Sequence, residues 1–260
     1  MSRVFQMSVP AGVVAATLVV SLAAQQGADA GKSMTAQDKA LGWIVLFDGK
    51  STDAWRGYKK QDTSGTRWRV ENGTLTLPPS TGTDTKGALD IISKETFDRF
   101  ELTWEWRASP GANSGVKYFV LEDMDAAIGH EYQIIDDERH ADAKIGPKRQ
   151  TAALYDVLAA ADRPVKPAGE WNMSRVIVRR DGADDWVEHW LNGTLVLKYA
   201  LNSDGLRKAI ADSKFKTVAR FGKLQNGHIL LQDHGDQVWY RNIRIRRLPA
   251  ATTTEAQRSK

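Results

Sequence analysis

The run Phe100-Glu101-Leu102-Thr103-Trp104-Glu105-Trp106-Arg107 decides the fold class. Phe100, Leu102, Trp104 and Trp106 alternate with Glu101, Thr103, Glu105 and Arg107. Successive side chains of a strand point to opposite faces, so a period of two predicts one packed and one polar face. Working outward, Trp171 to Arg179, Trp186 to Leu197, His228 to Gln232 and Val238 to Arg246 read as further strands. Turn dipeptides separate them, among them Asp48-Gly49, Asp181-Gly182 and Asn226-Gly227. Asn72-Gly73 and Asn192-Gly193 lie between β-rich runs and predict type I′ hairpin turns. Helical signal is confined to Asp204 to Lys214, with Ala152 to Ala161 ambiguous. Many strands, few helices and no linker predict one all-β domain over residues 42–248, an antiparallel β-sandwich of the jelly-roll type.

The chain has 260 residues, 42% hydrophobic and 26% charged, the composition of a folded protein. It contains no Cys, which excludes disulfides, thiolate zinc sites, iron–sulfur clusters and a Cys nucleophile. A net charge of +4 would suit nucleic acid only if it clustered. The densest basic run is Arg244-Ile245-Arg246-Arg247, and no zinc-finger, helix-turn-helix or RNP pattern occurs, so no nucleic-acid partner is expected. Residues 1–30 read as a cleaved signal peptide: Arg3, an apolar stretch from Val9 to Ala24, then Ala28-Asp29-Ala30 before Gly31. That stretch is shorter than the ~18 residues of a membrane span, and no Cys follows it for lipidation. No stable membrane anchor is therefore expected, and the address is periplasmic or secreted. Residues 31–41 form a polar leader and residues 249–260 a polar tail. Of the nine Trp, Trp104 and Trp106 belong to the packed face of their strand. Trp43, Trp171 and Trp190 read as structural, which leaves Trp55, Trp68, Trp186 and Trp239 to face a cleft.

Three segments concentrate chemistry. In a strand from His130 to Ile135, Glu131, Gln133 and Ile135 share one face and His130, Tyr132 and Ile134 the other. Asp136, Asp137, Glu138 and His140 follow in an expected loop, where carboxylates beside a His can act as acid and base or bind a divalent metal. The second segment is Asn113-Ser114-Gly115-Val116-Lys117-Tyr118-Phe119, in which Lys117 and Phe119 are expected to share a face and Asn113 to cap a turn or bind substrate. The third is His228 to Gly235, where Leu230, Gln232 and His234 have the same parity, so a polar pair ends an apolar strand. No nucleophile elbow, phosphate-binding glycine loop or His-Glu-x-x-His motif is present. The E-x-D-x-x-E strand of laminarinase-like enzymes is also absent. That weakens an ordinary retaining glycosidase, which needs two carboxylates roughly 5 Å apart.

Taken in order, the segments resemble the 3-keto-disaccharide hydrolase family, also described as a 3-keto-glucoside 1,2-lyase/3-keto-2-hydroxyglucal hydratase domain. They are Leu46-Phe47-Asp48-Gly49-Lys50-Ser51, Phe100-Glu101-Leu102 with Glu105-Trp106-Arg107, Asn113 to Phe119, Glu131 to Asp137 and Ala153-Leu154-Tyr155-Asp156. Gly169-Glu170-Trp171-Asn172, His189 to Gly193, Leu231 to Gly235 and Arg241-Asn242-Ile243 complete the set, which spans nearly all of Trp43 to Leu248. The resemblance implies a fold of the concanavalin A-like lectin and glucanase type. It also implies a chemistry in which a ketone at C3 of a glucosyl ring acidifies the C2 proton. A base removes that proton, the C1 aglycone leaves, and water adds to the 3-keto-2-hydroxyglucal.

On that chemistry Glu131 is the expected base and His234 the alternative base or the leaving-group acid. Arg107 and Lys117 are candidates to stabilise the enolate. Gln133, Asn113, Gln232 and Arg241 would hold ring hydroxyls, and Asp136 and Asp137 would orient His140 or bind a divalent ion. The implied partner is a small keto-sugar, with a sugar 3-dehydrogenase needed to supply the ketone. Two other functions stay open at this point. A non-catalytic carbohydrate-binding module would lack converging acid and base groups, and an ordinary glycoside hydrolase would show two facing carboxylates.

Overall fold

The computed structural model describes residues 34–82 and 89–250. The expected signal peptide lies outside the described residues, as does all but the first stretch of the expected polar tail. Within the expected polar leader, residues Ala36–Ala40 form a short helix, α1. Thr35 and Asp38 close a reciprocal capping box at its start, which satisfies backbone N–H groups that the first turn leaves free.

The rest is two antiparallel sheets face to face, the jelly-roll sandwich that the alternation predicts. The large sheet runs in the order β11 (Thr194–Ala200), β10 (Asp184–Leu191), β9 (Asn172–Asp181), β6 (Phe100–Ala108), β13 (Val238–Arg247), β4 (Thr74–Leu77) and β3 (Arg69–Glu71). Strand β1 (Trp43–Phe47) also pairs with β13, on the far side of a bulge at Arg241 to Arg244. The small sheet runs β2 (Trp55–Gly57), β5 (Ile91–Phe97), β12 (Gly227–Leu231), β7 (Asn113–Val120) and β8 (His130–Ile135). Both Asn-Gly hairpins form as expected, with positive φ at Asn72 and Gly73 and at Asn192 and Gly193. Two further helices, α2 (Ala141–Ile145) and α3 (Asp204–Ala211), sit in connections. The segment from Ala152 to Ala161, ambiguous in sequence, is turns and isolated bridges laid along the edge of β8.

Leu102, Trp104 and Trp106 of β6 are buried between the sheets, where Trp104 meets Tyr132 of β8 edge-on at 5.0 Å. Pairing fixes the faces of β7 and β8. Tyr118 opposite His130 and Val116 opposite Tyr132 face the large sheet, whereas Lys117 opposite Glu131 and Gly115 opposite Gln133 face away from it. All six residues of β8 are nonetheless buried, because chain segments cover the small sheet's outer face as well. Under one of these segments Tyr58, Ile92, Val120 and Leu230 make a second, smaller apolar cluster.

One parity expectation fails. Phe119 has φ +62° and turns inward, with its ring 6.4 Å from Phe100 and 5.4 Å from His130, so it does not share the face of Lys117. A left-handed residue inside a strand reverses the alternation beyond it, and Val120 consequently joins the outer cluster. Gly227 lies against this kink; a Cβ there would sit 2.6 Å from the carbonyl carbon of Phe119.

Candidate active site

The outer face of the small sheet is the floor of a cavity of about 550 Å³, within the range of small-molecule sites. Lys117, Glu131, Gln232 and Asp90 line it from the sheet and its ends. The segment from Met124 to Gly129 and residues Lys214, Phe215, Thr217 and Val218 after α3 form its walls. Glu131 and Lys117 are cross-strand partners, and Lys117 Nζ lies 3.8 Å from Glu131 Oε2. The same ammonium donates to the Ala127 carbonyl at 3.3 Å. Gly115 makes room for the carboxyl: a Cβ at that position would be 2.7 Å from Glu131 Oε1. The main chain of β8 is pinned from its other side by Tyr155, whose N–H donates to the Glu131 carbonyl at 3.1 Å.

Asp90, just before β5, accepts the Asp233 N–H at 2.8 Å, and Asp233 is itself fixed by a buried ion pair with Arg67. Burial raises the Glu131 pKa above the usual carboxyl range; Lys117 and then Lys214 oppose this, and Asp90 adds to it. Burial likewise raises Asp90, with Lys117 opposing. The Lys117 ammonium thus opposes the burial-driven rise at both carboxyls. The Lys214 ammonium lies 4.1 Å over the Tyr155 ring; its burial there lowers its pKa, while Glu131 raises it. Tyr155 donates its hydroxyl to Asp142 at 2.9 Å; burial and that carboxylate raise its pKa, so it stays a phenol. Gln232 Oε1 is buried without a hydrogen-bond partner, an acceptor free for a ligand hydroxyl.

His234 is exposed and outside the cavity lining, yet close enough for its charge to act on both Glu131 and Asp90. Ligand atoms of His234, His140 and Asp236 all lie within 4.8 Å of one another, spacing that a divalent cation can bridge. The donor set fits a cation only in part. His140 Nδ1 accepts the Asp142 N–H at 3.1 Å as the cap of α2, so its neutral ring carries the proton on Nε2. A cation would therefore take its lone pairs from His234 and Asp236.

The structure brings together Glu131, Lys117, Gln232 and His234, and it separates the others. Arg107 and Arg241 are on the outer face of the large sheet, with the whole sandwich between them and Glu131. Arg107 is held between Trp239 at 4.2 Å and Trp171 at 5.1 Å, and Arg241 lies 4.1 Å over Trp171 and pairs with Glu105 at 2.6 Å. These are cation–π packing contacts, and they correct the assignment of both residues to the site. Gln133 has the expected face but is buried, and its side-chain oxygen accepts from Ile134 N–H at 3.2 Å. Asp136 is a turn cap for Gly111, Glu138 and Arg139, and Asp137 accepts from Thr151 N–H and Arg163. Both face a separate cavity of about 100 Å³. Asn113 is buried, holds Asp236 by its N–H at 2.9 Å and does not line the main cavity. Trp55 and Trp68 are core residues, while Trp186 and Trp239 lie under cations on the large sheet, so no Trp lines the cavity. The sequence reading missed Asp90, Lys214 and Tyr155. Tyr155 lay inside one of the matched segments, and Asp90 directly before the apolar pair Ile91-Ile92.

A carboxyl–ammonium–carboxyl set sunk in a cavity on a β-sandwich suits an enzyme rather than a flat sugar-binding platform. The chain belongs to the family of the 3-keto-alpha-glucoside-1,2-lyase-like domain, whose model matches residues 42–246. It is 36% identical over 233 residues to a 3-keto-disaccharide hydrolase of Bacteroides thetaiotaomicron, covering 80% of this chain and 79% of that protein. A solved putative glycosyl hydrolase from Parabacteroides distasonis superposes with a TM-score of 0.72 at 29% identity, covering 84% of this chain and 99% of that one. A second from the same organism gives 0.58 at 26% identity, covering 79% and 99%. The protein is thus a carbohydrate-active enzyme of this family's general type.

Proposed function

We propose that the protein cleaves 3-keto-glucosides, including 3-keto-disaccharides, by elimination across C1 and C2 followed by hydration. Glu131 takes the C2 proton, and the electron pair moves into the C3 carbonyl to give an enolate whose oxygen Lys117 and Lys214 stabilise. The C1–O bond then breaks, and the departing oxygen takes a proton from Asp90 or His234. Water adds across the resulting 3-keto-2-hydroxyglucal, so the net reaction is hydrolysis. A positioned base or acid contributes about 10²–10⁴-fold, and preorganised charge at the oxyanion about 3–4 kcal/mol.

The observation that carries this reading is the pair of lysines beside the buried carboxyls. Ordinary glycosidases pass through an oxocarbenium-like transition state, which nearby ammonium groups would oppose. An enolate gains from the same two cations. The ordinary glycosidase remains the second reading, because Asp90 and Glu131 share the cavity. Incubation with a 3-keto-glucoside and with its unoxidised parent separates the two. Turnover of the keto sugar alone is expected, and turnover of the parent would refute the elimination.

A 3-keto-glucoside has to come from a reaction that oxidises a sugar at C3, so an oxidoreductase upstream is part of this reading. We infer export as well, from the leader that ends at Ala28-Asp29-Ala30; among the described residues no helix is long and apolar enough to cross a membrane. The mature protein should then begin at Gly31, and recovery of exported protein still starting at Met1 would contradict cleavage.

A further inference from the structure

Between the two sheets, directly beneath the Lys117–Glu131 pair, the neighbouring cross-strand pair Tyr118 and His130 opens a chain of buried hydrogen bonds. His130 Nε2 accepts the Gly222 N–H at 3.0 Å, so the neutral ring carries its proton on Nδ1 and donates to the Tyr199 hydroxyl at 2.9 Å. At the other end His189 Nδ1 lies 2.8 Å from the Ala152 carbonyl. A carbonyl only accepts, so His189 is protonated on Nδ1 and its Nε2 accepts from the Tyr118 hydroxyl at 2.9 Å. That leaves the Tyr118 oxygen to accept from Tyr199 at 2.6 Å. Each end alone dictates one direction, and the two agree: Gly222 to His130 to Tyr199 to Tyr118 to His189 to Ala152.

Both ends reach segments that build the site. Gly222 closes the stretch carrying Lys214, Phe215, Thr217 and Val218. Ala152 opens the stretch that bonds β8, with Ala152 N–H on the Gln133 carbonyl at 2.9 Å and Tyr155 N–H on that of Glu131. Each chain member next to the floor is also one residue from a reacting group: His130 from Glu131, and Tyr118 from Lys117. A buried, fully paired network is costly to leave half made.

We propose that Tyr118, His130, His189 and Tyr199 are positioning residues. The chain they form fixes the Glu131–Lys117 pair from below and ties it to the Lys214 wall and the Tyr155 strap as one unit. The catalytic part of this inference rests on the elimination reading above; the coupling of the two segments does not.

The test uses Tyr118→Phe and Tyr199→Phe in the full chain. A control, Ile245→Val, in the buried face of the large sheet, lowers stability without touching the chain. Turnover of a 3-keto-glucoside is measured well below every melting temperature, together with amide hydrogen exchange. Both Tyr variants should lose about 10-fold or more in kcat while KM stays within about twofold, and the control should keep kcat. Exchange should quicken together in residues 150–158 and 214–222 of each Tyr variant. Equal kcat in a Tyr variant and the control would overturn the positioning role. Faster exchange in only one segment, or in neither, would overturn the coupling even if the native protein proves inactive on keto sugars.

Discussion

In the proposed elimination Glu131 would owe its reactivity to what surrounds it rather than to its type. Burial raises the pKa of the carboxyl and so makes its ionised form a stronger base, and Lys117 at 3.8 Å opposes that rise. Glu131→Gln keeps the size and removes the basicity, so turnover should fall by about 10²–10⁴ with little change in melting temperature. Gly115→Ala tests the same residue by geometry. Its Cβ would press on Glu131 Oε1 at 2.7 Å, and the end of a side chain can give way where backbone cannot. The variant should remain folded, by circular dichroism and melting, and lose about 10-fold or more in kcat through a displaced base. A folded Gly115→Ala enzyme with native kcat would mean that the position of the carboxyl does not matter.

At the scale of elements, parity along a strand was the informative signal. It put Glu131 on one face of β8, and Leu230, Gln232 and His234 on one face of β12 and its continuation. Glu131 and Gln232 do meet at the cavity, His234 acts on Glu131 by its charge, and Leu230 packs in the outer apolar cluster. Parity separates faces within a strand but does not say which sheet a face belongs to. Arg107 and Arg241 were therefore misplaced, although their strands were read correctly. Asp90, Lys214 and Tyr155 come from connections without periodicity, where pattern carries no position. The reversal at Phe119 was illegible for another reason: a bulky residue at positive φ is held there by its packing, not by its own preference. The buried histidines of β8 and β10 give this scale its own prediction. Burial lowers the pKa of His130 to about 3 and of His189 to about 4, from about 6.5 when exposed. Below pH 6.5 the unfolded chain binds protons that the folded chain refuses, so stability is complete above that pH and declines beneath it. Each histidine costs up to about 1.4 kcal/mol per pH unit until its folded pKa is reached. Denaturant midpoints taken from pH 7 to pH 4 should fall steadily, and His189→Gln should flatten the decline. A flat native profile would contradict neutral buried histidines.

For the whole molecule, the sandwich followed from alternation and turn chemistry alone, because each strand had to bury one face. The site did not follow from that logic, since it is built on the face that a simple sandwich would leave to solvent. Trp is absent from that covered face, and its indoles go to the core or beneath arginines and lysines on the large sheet. The cavity therefore offers charge and hydrogen-bonding groups rather than aromatic platforms, in keeping with the proposed enolisation. The central claim is that the C2–H bond breaks. The native protein should be incubated with a 3-keto-glucoside in D2O, and the 3-keto-glucose released examined by NMR against 3-keto-glucose held in the same solvent without enzyme. Elimination and hydration predict solvent deuterium at C2 in the product from the first turnovers onward, well above the control. Product that keeps its original C2 proton, together with no primary isotope effect on turnover of the C2-deuterated substrate, would show direct displacement at C1 and contradict the account.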